Sequence, residues 1–200
     1  MKEITTTMTT AAMFSEDGTK RYHLTKAWDE TMPRLAIIML APSEASGIVL
    51  DNTTMLVLNN ASALGYGSVT ILNLFATLGD FGLKTVEPCD EENIEVILGA
   101  AEKADAIVYA AGVGKATNKL FLERQSQVLT ALAPFEEKLY CLTNASKGAR
   151  FQHPLSPAVR IWVLSKMQIS ELVEIKREET PALSHETAKT KAKQKKKAHA

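Results

Sequence analysis

The run Leu35–Leu40, which reads LAIIML, decides the fold. Three more apolar runs follow it at similar spacing: Val69–Phe75, Ala106–Ala111 and Leu139–Leu142. Each run is short and nearly continuous in apolar residues, a pattern typical of strands that are covered on both faces. The four runs therefore predict a four-strand parallel sheet.

Segments with helical character separate these runs. Thr53–Leu64, Glu91–Lys103 and Asn118–Leu132 lie between the strands, and Pro157–Met167 follows the last one. Strands that alternate with helices predict right-handed crossovers and a three-layer α/β/α sandwich. In such folds the ligand site lies beyond the carboxyl ends of the strands, so we expect the functional residues there.

Length and composition suit one domain with two extensions. The 200 residues are 46% apolar, enough for a real core. We expect a loose arm over residues 1–20, an α/β domain over 21–177 and a disordered, Lys-rich tail over 178–200. The sequence has no run long enough to cross a bilayer, no signal peptide and no metal-ligand spacing. These features predict a cytoplasmic protein with no metal and no cofactor.

The tail concentrates positive charge in a chain whose net charge is zero. Residues 180–200 contain six lysines and one acid, Glu186. Such an arm can attract the phosphates of nucleic acid without reading sequence. The alternative is a tail that only keeps the protein soluble.

His153 is the first candidate catalytic residue. It lies about ten residues after the fourth apolar run, in the segment Gln152–Pro157, which reads QHPLSP. Two prolines stiffen its surroundings, and a fixed imidazole can move a proton or donate a hydrogen bond to a developing anion. The alternative is a histidine that caps a helix or loop.

Asn73 is the first candidate ligand-binding residue, because it interrupts the second apolar run. A buried amide without a partner costs about 1–3 kcal/mol, so Asn73 must bond the backbone or face a ligand. Its donor and acceptor lie side by side and match the edge of a nucleobase. Both alternatives stay open.

Two carboxylates lie near the end of the first strand. Asp51 stands at the presumed start of the first helix, where it either caps the helix or orients a water or a sugar hydroxyl. Glu44 is the other acid in this region. Both are candidate catalytic groups.

Other candidates concern phosphate. Gly112 follows the third strand, but Gly114-Lys115 lacks the glycine spacing and the Ser or Thr of a nucleotide-phosphate loop, which excludes an ATPase of that type. Gly112 stays a candidate for binding a base or nucleotide, because backbone amides at this helix start can face an anion. Lys147 and Arg150 precede His153 and supply two cations that either hold a phosphate or lie in a solvated loop.

The order of these segments resembles the bacterial and phage DUF1643 family, which has no settled activity. The likeness covers about Arg21 to Met167. The matching pieces are Arg21…Leu24-x-Lys26-x-Trp28, Ile38–Ser43, Asp51-x-Thr53, Gly65–Gly67, Asn73–Ala76, Glu92-Asn93, Gly112 and Lys147-Gly148…His153–Leu155.

The chain is also similar, more distantly, to the uracil-DNA glycosylase superfamily. That superfamily has a proline turn after the first strand, a strand ending in a base-reading Asn and a late His-Pro-Ser-Pro-like loop. Pro42-Ser43, Asn73 and His153–Pro157 stand in the same order. The resemblance implies cleavage of an N-glycosidic bond in DNA, with Asn73 selecting the base, Pro42 and Ser43 shaping the turn and His153 stabilising the departing base.

One departure from the superfamily concerns the group that activates water. The superfamily has an acid or amide beside the turn proline, where this chain has Leu40 and Ala41. The tryptophan of the third strand is also replaced, by Ala110-Ala111. Asp51 or Glu44 would have to substitute for the missing group, or the protein binds without cutting.

Three functions are therefore open. The first is a hydrolase of DNA-glycosylase type that acts on a base or modified base. The second is a non-catalytic module that binds nucleotides or nucleic acid. The third is a partner-binding protein built on the same scaffold, since fold alone does not decide function.

Overall fold

The structure is a computed structural model that describes residues 1–43, 45, 47–79, 90–112, 118–144 and 150–172. The chain divides into two units, Met1–Ile169 and Ser170–Ala200. The sheet and helices below belong to the first unit. Glu44, Gly114-Lys115, Lys147 and the tail 178–200 lie outside the described residues, so the predictions made for them stay predictions.

One seven-stranded sheet organises the first unit. In sheet order the strands are β1, β2, β4, β3, β5, β6 and β7. Their bounds are β1 Thr9–Phe14, β2 Arg21–Ala27, β3 Arg34–Met39, β4 Ser68–Asn73, β5 Ala106–Tyr109, β6 Leu139–Thr143 and β7 Val163–Lys166. The four predicted runs form the neighbouring parallel strands β4, β3, β5 and β6.

The predicted strand number is wrong, because three antiparallel strands extend this parallel block. β2 pairs with β4, β1 pairs with β2, and β7 pairs with β6. All three are edge or near-edge strands, and every residue of β1 is exposed. In β2 polar residues alternate with apolar ones, and β7 is only four residues long, so a search for continuous apolar runs passes over them.

Two segments differ from the expected structure. Residues 9–14 form β1, although residues 1–20 were expected to be a loose arm. The helix expected over Pro157–Met167 is a short 3₁₀ turn, Pro157–Val159, followed by β7. The pairing of β7 with β6 is a tertiary contact that local sequence does not reveal.

Three helices lie where the sequence predicts them. α1 spans Asn52–Ala63, α2 spans Glu91–Lys103 and α3 spans Lys119–Ala131. Each begins with a capping side chain that accepts a backbone N–H, from Asp51, Asp90 and Asn118 respectively. Among the described residues, no helix has the length and apolar character needed to span a membrane.

The helices cover both faces of the sheet. Val57 and Ala61 of α1 pack with Leu35, Ile37 and Val69, which share one face because side chains alternate along a strand. On the opposite face, Gln125 of α3 donates a hydrogen bond to the Tyr109 hydroxyl at 2.7 Å. α2 lines a hollow on that second face, and the sheet therefore forms the central layer of an α/β fold.

Candidate functional site

The parallel strands β3, β4, β5 and β6 end at one edge of the sheet, which we call the carboxyl edge. The loops after these strands and the N-termini of the three helices gather there. Of the described candidates, Pro42, Ser43, Asp51, Asn73, Gly112 and His153 all lie in these strand ends, loops or helix starts. The alternation of strands and helices is enough to bring them to one edge.

Asn73 is the last residue of β4 and is unusual among the polar side chains. It is 1% exposed, and neither its amide nitrogen nor its amide oxygen forms a hydrogen bond within the described structure. Its register partner on β3 is Met39, which packs in the core on the α1 face. The side chain of Asn73 therefore shares this face with α1. Each unpaired polar atom costs about 1–3 kcal/mol, so this amide needs a partner that folding alone does not provide.

The backbone around Asn73 is firmly held. Asn93 of α2 donates its side-chain N–H groups to the carbonyls of Asn73 at 3.0 Å and Leu74 at 3.2 Å. Arg124 of α3, fully buried, donates its Nε to the same Leu74 carbonyl at 2.7 Å. The Leu74 N–H in turn donates to the Met39 carbonyl at 2.8 Å. Asn93 and Arg124 thus fix the exit of β4, although the Asn93 Oδ1 is itself unpaired within the described structure.

Asp51 caps α1 and also organises the loop after β3. It accepts the Thr54 N–H at 2.6 Å and a hydrogen bond from the Ser43 hydroxyl. Burial raises the pKa of Asp51, but these hydrogen bonds and the charge of Arg21 outweigh burial and hold the pKa below its ordinary value. Asp51 is therefore an ionised carboxylate at neutral pH.

Arg21, at the start of β2, binds the same loop from the other side. Its Nη1 donates to the Ser43 carbonyl at 3.1 Å and to the Ala45 carbonyl at 2.6 Å. Burial lowers the pKa of this guanidinium, and the Asp51 carboxylate partly opposes that effect. The sequence analysis gave Arg21 only as one of the residues that match the DUF1643 pattern. The alternation of apolar Tyr22 and Leu24 is the signal that could have identified a strand there.

His153 lies in a well-bonded loop after β6. Its Nδ1 accepts the Leu155 N–H at 3.2 Å, and its carbonyl accepts the Ser156 N–H at 2.8 Å. Because Nδ1 is an acceptor, the neutral ring carries its proton on Nε2. Burial lowers the pKa of His153, and the negative charge of Asp51 opposes this only in part. The ring is thus a neutral hydrogen-bond donor that senses the Asp51 carboxylate.

Gly112 follows β5 and lies close to His153. Its φ is +79°, a left-handed conformation that favours glycine. A Cβ at this position would lie 3.5 Å from the His153 Cβ, which is an ordinary van der Waals distance. The backbone conformation, and not the packing of His153, therefore accounts for the glycine.

Arg150 does not join this group. Its Nη1 donates to the Ser165 hydroxyl and its Nη2 to the Lys166 carbonyl, both at 3.2 Å, on the neighbouring strand β7. The guanidinium also lies 5.3 Å from the centre of the Phe151 ring. In this arrangement Arg150 ties the loop before His153 to the sheet.

The carboxyl edge therefore combines an unpaired amide, an ionised carboxylate and a neutral imidazole. Asp51 links Ser43, Arg21 and His153 through hydrogen bonds and charge. Gly112 contacts His153, and Asn73 lies at the end of the strand beside β3. The Asp51 charge acts on His153, whereas the Asn73 side chain forms no hydrogen bond to either of them within the described structure. A carboxylate and an imidazole coupled in this way can stabilise opposite charges that develop in a bound molecule.

A comparison with protein-family models finds a match to this chain. The model of a family described as protein of unknown function (DUF1643) matches residues 21–155, from Arg21 at the start of β2 to the loop that carries His153. No curated protein and no solved structure matches the chain. The match covers more than half of the sequence and includes every residue of the carboxyl-edge group, so this chain belongs to the DUF1643 family.

Proposed function

We propose that this protein is a hydrolase of DNA-glycosylase type, which binds a base or modified base at the carboxyl edge and cleaves its N-glycosidic bond. The observation that carries the proposal is the Asn73 amide, which is 1% exposed and unpaired within the described structure. An amide of this kind satisfies its donor and acceptor at once on the edge of a nucleobase.

His153 supplies the chemistry at the leaving group. When an N-glycosidic bond breaks, the base departs with negative charge. A neutral imidazole with its proton on Nε2 can donate a hydrogen bond to that charge. The Leu155 N–H donates to Nδ1 at 3.2 Å, so the donor on Nε2 is oriented before the substrate arrives.

Asp51 supplies the opposite charge. The sugar gains positive, oxocarbenium character as the bond breaks, and an ionised carboxylate stabilises such a cation. The lowered pKa of Asp51 keeps its carboxylate ionised. The charge of this carboxylate also acts on the His153 ring, whose pKa it raises. Ala41 stands where the superfamily has its water-activating group and has no polar atom to orient water. We therefore assign the orientation of the attacking water to Asp51 as well.

The fold-level argument is an analogy with the uracil-DNA glycosylase superfamily. The order is the same as in that superfamily: Pro42-Ser43 follows β3, Asn73 ends β4 and His153–Pro157 follows β6. A base in duplex DNA would have to be turned out of the stack to reach a side chain as buried as Asn73.

The test is a search for abasic sites. The full chain is incubated with oligonucleotides that carry normal, deaminated and hypermodified bases, and hot alkali then opens any abasic site. We expect one class of base to be released, and His153→Gln to lower the rate by about 10²-fold or more while substrate still binds. Asn73→Leu should abolish both, and Asn59→Leu, at an exposed position of α1, is the matched control.

A second candidate function, binding without cleavage, rests on the engagement of Asp51. Its carboxylate already accepts hydrogen bonds from Thr54 and Ser43, and Ala41 stands where the superfamily has its water-activating group. In that case nucleotide or single-stranded DNA would bind with dependence on Asn73, and no product would form. If no nucleotide, base or nucleic acid binds at all, both functions are wrong, and a protein partner becomes the explanation.

A further inference from the structure

The hollow beside α2 lies on the opposite face of the sheet from α1, away from the carboxyl edge. It has a volume of about 610 Å³ and is lined by α2 and by strands β2, β3 and β4. Arg34 and Ser68, the first residues of β3 and β4, and Lys103, the last residue of α2, lie on its wall. The hollow therefore opens toward the amino ends of the parallel strands and shares no lining residue with the carboxyl-edge group.

The floor of this hollow is polar. Thr25 of β2 and Thr70 of β4 are register partners, and their hydroxyl oxygens are 3.0 Å apart. The Thr25 hydroxyl also lies 3.3 Å from the Nδ1 of His23. The three side chains thus form a short hydrogen-bonded chain on one half-buried surface of the sheet, and a hydroxyl or ring N–H at its end remains to donate to a ligand.

Lys103 is the cation that matters at this hollow. Two cations, Lys103 and Arg34, and one carboxylate, Glu30, line it. Arg34 is already matched by a second carboxylate, because Asp105 lies 3.8 Å from its Nε and accepts its backbone N–H at 2.8 Å. Lys103 forms no ion pair within the described structure, and its charge, after burial, lowers the pKa of His23, so that ring is neutral at pH 7. The positive field that Lys103 exerts at His23 therefore favours an anion on this side of the hollow.

The wall that α2 contributes to the hollow is apolar and has small side chains at its centre. Val96 and Ala100 of α2 line it, together with Gly99 in the interior of the helix. A glycine in a helix interior costs about 0.5–1 kcal/mol relative to alanine. No atom lies within 4 Å of the place where a Gly99 Cβ would stand, so packing does not require the glycine. Its effect is to leave room in the hollow.

We propose that this hollow is a second binding site, which takes a small organic anion with an apolar body. The anionic group lies toward Lys103 and the hydroxyls of Thr25 and Thr70, and the apolar body lies against α2 at Gly99 and Ala100. The site is independent of the carboxyl edge and of the function proposed for it.

Benzoate is a suitable probe, because it combines a carboxylate with an apolar ring. The full chain, labelled with ¹³C at its histidines, is titrated with benzoate while the ring signals of His23 are followed by NMR. We expect a saturable shift of the His23 signals and none of the His153 signals. Benzyl alcohol, which lacks the charge, and inorganic phosphate, which lacks the ring, should each bind about tenfold more weakly, a loss of about 1.4 kcal/mol.

Two variants locate the ligand. Gly99→Leu fills the hollow without a clash and should weaken benzoate binding by about tenfold or more, and Lys103→Gln should weaken it severalfold. Ser126→Leu, the same kind of change at an exposed position of α3, should leave binding unchanged. The proposal is overturned if benzoate gives no saturable shift, if benzyl alcohol binds equally well, or if Gly99→Leu binds like the unaltered chain.

Discussion

Two buried asparagines, Asn60 on α1 and Asn73 at the end of β4, differ in whether their side-chain amides form hydrogen bonds. The Nδ2 of Asn60 donates to the carbonyls of Leu56 at 2.8 Å and Arg160 at 3.2 Å, and its Oδ1 accepts the Trp162 N–H at 2.9 Å. Asn73 forms none of these bonds within the described structure, although it is even less exposed, 1% against 9%. Asn60 shows what a structural amide looks like in this protein, and Asn73 does not match it.

Asn60→Leu is expected to produce the largest change in stability. The substitution leaves the Trp162 N–H and the Arg160 carbonyl without partners, and it releases the segment before β7 from α1. We expect the free energy of unfolding to fall by about 3 kcal/mol. Chemical denaturation measures this loss, and a loss below about 0.5 kcal/mol would contradict the structural role.

Asn73→Leu is expected to have the opposite sign. The leucine side chain is similar in length to that of asparagine. The variant removes two buried polar atoms that form no hydrogen bond within the described structure. The free energy of unfolding should stay level or rise by about 1 kcal/mol, while base or nucleotide binding is lost. A loss as large as that of Asn60→Leu would mean that the Asn73 amide has a structural partner, and the proposed function would lose its main support.

The contrast between these two asparagines also shows where sequence was informative. The four apolar runs predicted β3, β4, β5 and β6, since strands buried on both faces carry their own signature. Capping residues such as Asp51 placed the helices. Asn73 stood out because a polar residue interrupted an apolar run.

The rest depended on contacts that no local pattern encodes. β7 forms because β6 offers it an edge, and its polar sequence was mistaken for the end of a helix. Arg21 and Lys26 appeared in the sequence only as part of the family pattern, and nothing local showed that both are buried and bond to carbonyls of the loop after β3. Likewise, the bonds of Arg150 to β7 could not be foreseen before β7 itself was known.

Asp51→Asn tests whether the Asp51 charge acts on His153, and the pKa of His153 reports the result. Burial lowers the pKa of His153 and the Asp51 charge raises it, so removing the charge should lower the pKa further. Asparagine also caps helices well, so α1 should persist. NMR titration of the His153 ring measures the shift, and an unchanged pKa would show that the two groups are not coupled.

The sign of the effect on stability follows from the same pKa. Because the folded-state pKa of His153 lies below its ordinary value of 6.5, the unfolded chain binds more protons. Stability is therefore fully present above the unfolded pKa and is lost as the pH falls toward the folded pKa. His153→Gln should remove this part of the pH dependence, which denaturation at several pH values detects.

Removal of the tail 178–200 is expected to have the smallest effect. Stability should be unchanged, while the slope of log affinity for DNA against log salt should become less steep, because lysines that neutralise phosphates release counterions. Filter binding at several salt concentrations measures the slope. An identical slope would assign the six lysines to solubility.

The position of β2 has a consequence for synthesis on the ribosome. β2 emerges early and can form a hairpin with β1, but its other partner is β4, and the paired residues Thr25 and Thr70 are 45 positions apart. β2 therefore completes its pairing only after β3 and α1 have been translated. Arg21 is held beside Ser43 from the same strand, so an early-translated segment completes the carboxyl edge late in folding.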